Sequence, residues 1–227
     1  MASHALSPAL LSSRGSCRVR PYRPADAAAT IVVFRDAVAH LAAADYSAEQ
    51  IKAWAGRTGT IERWNARRTA AHTWVAVDRG AADGHLRRWD CDGDCDGDCT
   101  DSGAVVGFID VDDSGYIDML FVAPHCARQG VATALLGAVE RFAAARGTGY
   151  DAGRGIRRNA EDGDGEGIGE LRVHASITAR PFFERYGFRV VAIRHPHIGR
   201  VAFVNYLMVR GYGRRQITVI NGLLKEI

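Results

Sequence analysis

Between Tyr116 and Arg146 the sequence passes from an apolar strand pattern, through a short turn after Pro124, into a helix pattern opened by Gly130. Val131, Leu135, Val139 and Phe142 recur at helical spacing, and Arg146-Gly147 ends the run well. A strand that feeds a helix so directly calls for a second, parallel strand, because the chain must cross back over the sheet before it can pair again. Leu171–Ala175 is the apolar run available for that place.

The rest of the pattern surrounds this crossover with antiparallel pieces. Val19–Tyr22 reads as a strand, after which Asp26 is expected to cap a helix reaching about His40, with Ile31, Phe34 and Val38 on one face. Ser47-x-x-Gln50 is a capping box for a short helix through Trp54. Thr73–Val77 and Val105–Val111 alternate as strands, and Asp112-Asp113-Ser114-Gly115 turns the second into Tyr116–Val122. Thr178–Arg185 follows as a helix, then Phe188–Ile193 and Phe203–Val209 as strands. The expected class is mixed α/β (α+β): six to seven strands, mostly antiparallel, with one parallel pair and about four helices.

Composition narrows the function. The 227 residues are 47% hydrophobic, and 29 Lys+Arg against 26 Asp+Glu leave a formal charge of +3. No single-sign surface therefore points to nucleic acid, and no apolar run is expected to approach the roughly 20 residues of a membrane helix. Five cysteines, an odd count, suit a reducing cytoplasm. Residues 1–17 are expected to be a disordered lead-in, since Leu10-Leu11 is too short an apolar centre for a signal peptide. Residues 80–103 and 147–169 read as insertions into loops of one domain spanning 18–210, and 211–227 as a C-terminal tail. The first insertion repeats Asp-Cys-Asp-Gly, placing Cys91, Cys95 and Cys99 four apart among six Asp. It lacks the closing Glu of a calcium loop and has no His or fourth Cys in register, so no metal is expected. Eight glycines in 23 residues make the second unable to bury a core of its own.

The first amides of a helix have no internal partners and lie at the positive end of its dipole. Gly130 and Ala132 allow close approach to such amides, and Arg128 adds charge, so the start of this helix suits a diphosphate; on pattern alone, a tight turn between strand and helix accounts for the same residues equally well. No Gly-Lys-Ser/Thr follows, which excludes a Walker loop.

At this point the sequence resembles the GNAT superfamily of acyl-CoA-dependent N-acetyltransferases. Leu120-Phe121-Val122-Ala123-Pro124 followed by Arg128-Gln129-Gly130-Val131-Ala132-Thr133 is similar to the family's strand–helix signature, except that Ala127 stands where the signature opens with Gln or Arg. Ser176 through Phe188 is similar to a second motif, with Ser176 in place of its Asn and Phe183 in place of its Tyr. Val19-Arg20-Pro21-Tyr22-Arg23-Pro24-Ala25-Asp26 resembles the family's opening.

The resemblance implies a cleft between splayed parallel strands, with acetyl-CoA as co-substrate and no metal. Its pantetheine arm would pair with the backbone of Leu120, Phe121 and Val122, its diphosphate with the amides of Arg128, Gln129, Gly130, Val131, Ala132 and Thr133, and Ser176 would reach the arm. The implied reaction is direct attack by an amine of a small molecule or peptide, with no nucleic acid or membrane partner. Asp118 is the first choice for base, because strand alternation puts it on one face with Leu120 and Val122; His174 and Asp110 are alternatives. With Phe183 in the tyrosine position, Tyr186, one helical turn on, is the first choice for the thiol's acid, and Tyr206 is another. Cys126 has no adjacent base and reads as a turn residue. Tyr46, Trp54 and Trp64 fall where the family builds its acceptor pocket. A catalytically weak acyl-CoA-binding sensor is the alternative that Phe183 and Ala127 motivate. A free edge on the last strand would allow a homodimer.

Overall fold

The computed structural model describes residues 17–78, 103–147 and 168–211, with short strand pairs at 150–151/156–157 and 218–220/223–225. Residues 1–16, most of both proposed insertions and most of the proposed tail lie outside the described residues, as does the whole Asp/Cys repeat.

Seven strands form one sheet: β1 (Cys17–Pro21), β2 (His72–Asp78), β3 (Val105–Val111), β4 (Tyr116–Val122), β5 (Glu170–Ser176), β6 (Arg189–Arg194) and β7 (Asn205–Gly211). Their order is β1-β2-β3-β4-β5-β7-β6, antiparallel throughout except for β4 beside β5. The last strand is therefore not the free edge that was expected. β7 inserts between β5 and β6, and β6 takes the edge with Val191 and Ile193 exposed.

Among the described residues five α-helices cover the two faces: α1 (Ala27–Asp36), α2 (Ala48–Ala55), α3 (Ile61–Ala70), α4 (Val131–Gly147) and α5 (Arg180–Arg185). α4 lays Val131, Leu135 and Val139 on β3, where Gly107 lets it close in: a Cβ there would stand 3.0 Å from Val131 and 3.1 Å from Leu135. On the other face Phe34 of α1 and Trp64 of α3 meet Phe108 and Phe121 ring to ring. The capping box of α2 forms as expected, with Gln50 N–H donating to Ser47 Oγ and Ser47 N–H to Gln50 Oε1.

Three further expectations change. Asp26 makes no side-chain cap on α1; its carboxylate takes both Nη atoms of Arg20 at 2.8 Å and the Arg23 N–H. These partners occupy both oxygens, and Asp26 is itself helical (φ −80°, ψ −7°) instead of extended as a capping residue is. Pro24–Ala44 is long and apolar enough to cross a bilayer by composition, contrary to the count of apolar runs above. Here it is a broken helix: a 3-10 turn, α1, a π stretch (Ala37–Leu41) and a second 3-10 turn, with Val33, Phe34 and Val38 buried. Finally, α3 is a helix that periodicity missed. Its core face is Trp64 followed one turn later by Arg68, whose guanidinium lies 5.0 Å above the Trp64 ring, so its buried stripe does not read as apolar.

Candidate active site

The site begins as a defect in β4. Met119 pairs with Asp110 of β3, and Ile117 pairs with Val111, so Asp118 is an extra residue with no partner across the ladder. Asp110 holds this bulge: its Oδ1 accepts the Met119 N–H at 2.8 Å, and its Oδ2 lies 3.0 Å from Arg68 Nη1. Both side chains of that ion pair are almost fully buried, and burial pushes the Asp110 carboxyl up to about 6 in spite of Arg68.

Two consequences follow. Alternation is broken, so Asp118 does not share a face with Leu120 and Val122. Its carboxylate turns to the α3 side, 3.5 Å from both Arg67 and Arg68. A bulge also sharpens the bend of its strand, and beyond it β4 leaves β5: parallel pairing exists only at Tyr116↔Arg172 and Ile117↔Val173. The expected gap between splayed parallel strands is present. Ala123 N–H donates to Val106 of β3 at 2.8 Å, and antiparallel ladders alternate. Phe121 therefore pairs with β3 as well, while the backbone groups of Leu120 and Val122 point into the gap.

β4 leads to a turn in which Arg128 (φ 61°) and Gly130 (φ 89°) both adopt the left-handed region, and Gln129 Nε2 donates to His125 O. The first helical bond runs from Ala134 N–H to Gly130 O, so the amides from Gly130 to Thr133 lack intrahelical partners. No atom lies within 4 Å of where a Gly130 side chain would project, which leaves room for a ligand against those amides. Tyr186 is here too: its hydroxyl lies 2.6 Å from Thr133 Oγ1.

On the α1–α3 side the gap opens into a cavity of about 350 Å³. Asp118, Leu120, Phe121 and Ser176 line it, with Tyr46, Trp54, Tyr116 and His174. Trp64 does not; it is core, 1% exposed and bonded to Thr30 Oγ1. Ser176 Oγ accepts the Ala179 N–H at 3.1 Å, and Phe183 stands in the cavity wall. Tyr206 lies under Arg180, its ring 4.6 Å from the guanidinium, and Cys126 is buried, which raises its thiol pKa. Among the described residues no group of three or more His, Cys, Asp or Glu is placed to hold a metal.

Tyr116 and Arg194 were not singled out from the sequence. Arg194 Nη1 lies 3.0 Å from His174 Nε2, and Tyr116 Oη lies 2.9 Å from His174 Nδ1. A guanidinium only donates, so Nε2 is the acceptor and the ring proton sits on Nδ1, facing the Tyr116 oxygen. That leaves the Tyr116 hydroxyl proton free of the imidazole. Burial, and then Arg194, lower the His174 pKa, which favours this neutral ring; burial and Asp118 push the Tyr116 phenol up to about 12. The strand pairing that brings these groups together joins residues some 58 apart in the chain, which no local pattern reveals.

The comparisons agree with this geometry. Residues 69–190 match the family model described as an acetyltransferase (GNAT) domain. An uncharacterized N-acetyltransferase, YafP of Escherichia coli K12, is 30% identical over 191 residues, covering 84% of this chain and 93% of that protein. A crystal structure of a GCN5-related N-acetyltransferase from Rhodopseudomonas palustris superposes with a TM-score of 0.65 at 27% identity, over 87% of this chain and 96% of its own. The PaiA N-acetyltransferase of Thermoplasma acidophilum, solved with coenzyme A, shares the fold at 16% identity and a TM-score of 0.57, over 87% and 99%. A split parallel pair running into a bare helix start, a family model spanning more than half the sequence, and a relative matched over most of both chains together show that this chain belongs to the GNAT family of acetyltransferases.

Proposed function

We propose that the chain transfers the acetyl group of acetyl-CoA to a primary amine of a small molecule or peptide by direct attack in a ternary complex. The observation that carries this reading is the gap after Ile117–Val173 leading straight to the unpartnered amides of Gly130–Thr133. The thioester supplies the activated acetyl group; the chain's residues position it and move protons.

Leu120 and Val122 offer backbone groups to the pantetheine as an added strand would, and Ser176 flanks it from β5. Arg128 through Thr133 receive the diphosphate, with Tyr186 braced on Thr133 as a cofactor contact. A Leu120 N–H aimed into the gap suits an oxyanion. Asp118, in the cavity wall, takes the ammonium proton directly or through one water. For the leaving thiolate, Tyr116 is the cavity tyrosine whose hydroxyl proton is uncommitted, since Tyr46 donates its own to Val204 O; its high pKa keeps it a proton donor at neutral pH.

The test is release of free thiol from acetyl-CoA over a panel of amines, beside calorimetric binding of coenzyme A. Turnover on some amine supports the reading. Tight coenzyme A binding with no turnover on any amine would favour an acyl-CoA sensor, and absence of binding would remove both.

A further inference from the structure

The cavity has a charge pattern unusual for a site that must take up an amine. Among the described residues its only lining carboxylate, Asp118, has two guanidiniums at 3.5 Å, those of Arg67 and Arg68. Arg57 lines the same cavity and has no charged or hydrogen-bonding partner among the described residues. The lining thus holds two arginines against one acid, with Arg68 committed to Asp110 just behind. In a partly desolvated cleft such a field repels polycations and draws in anions. A polyamine or a lysine-rich peptide is the wrong occupant on this ground.

Part of the same lining is aromatic. Trp54 is in edge contact with Tyr46 at 5.4 Å and with Phe121 and Phe203 at 6.3 Å, ring centre to ring centre. Tyr46 is fixed as well, donating to Val204 O and accepting from Ile177 N–H, so the wall is preorganised. A volume of about 350 Å³ is at the small end for ligand pockets, which run from roughly 300 to 1,000 Å³. It has room for one small molecule.

We infer that the acceptor is an amine that also carries a carboxylate and a flat apolar body, the chemical class of a free aromatic amino acid. Its carboxylate pairs with Arg57, its ring lies on the wall of Trp54, Tyr46 and Phe203, and its amine falls between Asp118 and the gap-facing backbone of Leu120. This rests on the acetyltransferase reading above and goes beyond it in naming the substrate class.

The experiment compares phenylalanine, its decarboxylated counterpart phenethylamine, and spermidine as acceptors for the full chain, by thiol release. Phenylalanine is expected to exceed both others at least tenfold in kcat/KM. Arg57→Ala should raise KM for phenylalanine about tenfold and collapse its preference over phenethylamine, whereas Arg63→Ala, exposed on α3 outside the cavity, should preserve both. Calorimetry of N-acetylphenylalanine on the coenzyme A complex should show the same tenfold loss for Arg57→Ala, independently of turnover. Equal or better use of phenethylamine or spermidine overturns the inference, as does an Arg57→Ala effect equal on all three amines. Turnover on other amines with none on phenylalanine sinks the inference and leaves the acetyltransferase reading standing. Loss of coenzyme A binding altogether sinks both.

Discussion

The buried pair that anchors the β4 bulge should leave a signature in the pH dependence of stability. Arg68 and Asp110 are 2% and 1% exposed, and burial lifts the Asp110 carboxyl from its ordinary 3.8 to about 6 against the pull of Arg68. Between those two values the folded chain keeps a proton that the unfolded chain has lost. The group's contribution is therefore fully present below about pH 4 and is lost as pH rises towards 6. At about 1.4 kcal/mol per tenfold, the gap is worth about 3 kcal/mol. The reference is a double variant, Arg68→Met with Asp110→Asn, whose amide oxygen can still accept the Met119 N–H that holds the bulge. Urea unfolding followed from pH 4 to 7 should show the wild type losing about 3 kcal/mol relative to this variant, a midpoint shift of about 1–2 M. At pH 7 the double variant should be at least as stable, since a buried pair often costs more in desolvation than its attraction returns. Parallel pH curves, or a variant several kcal/mol weaker at pH 7, would refute the reasoning.

Three other outcomes are expected. Gly130→Val puts a branched side chain at φ 89° into the open space before the helix amides; coenzyme A affinity by calorimetry should fall at least tenfold and stability by about 1–2 kcal/mol, and unchanged affinity would exclude a diphosphate there. Asp118→Asn should lower kcat about 10²- to 10³-fold with coenzyme A binding intact, and a loss below threefold in steady-state rates would remove it as base. Tyr46→Phe strips the hydroxyl that bridges Val204 O and Ile177 N–H and should cost about 1–3 kcal/mol in thermal or urea unfolding.

Most of the architecture was legible because its signals are local. β3 and β4 lie on the residues that alternation marked out, and α4 starts at Val131, directly after Gly130. A glycine opening a helix beside apolar periodicity is enough to place a bare amide cluster, since both conditions are met within one turn of chain. α3 was missed because Arg68 occupies a core position that only Asp110, 42 residues away, makes tolerable.

The site was legible only in part, for the same reason. Backbone features of one strand and one helix can be read in sequence order, which is why the strand and helix start proposed to hold the cofactor could be located from the sequence. Which way Asp118 faces could not: a single unpaired residue reverses every side chain before it relative to those after, and nothing within β4 announces the bulge, whose anchor is on β3 and α3. The junction of Tyr116, His174 and Arg194 likewise joins three strands far apart in the chain. The sequence by itself determined the elements and the helix start, because those follow from short-range periodicity and backbone freedom. The tertiary structure alone decided the direction of the carboxylate, the state of the imidazole and the charge of the cavity beside them, because each depends on long-range partners and on burial.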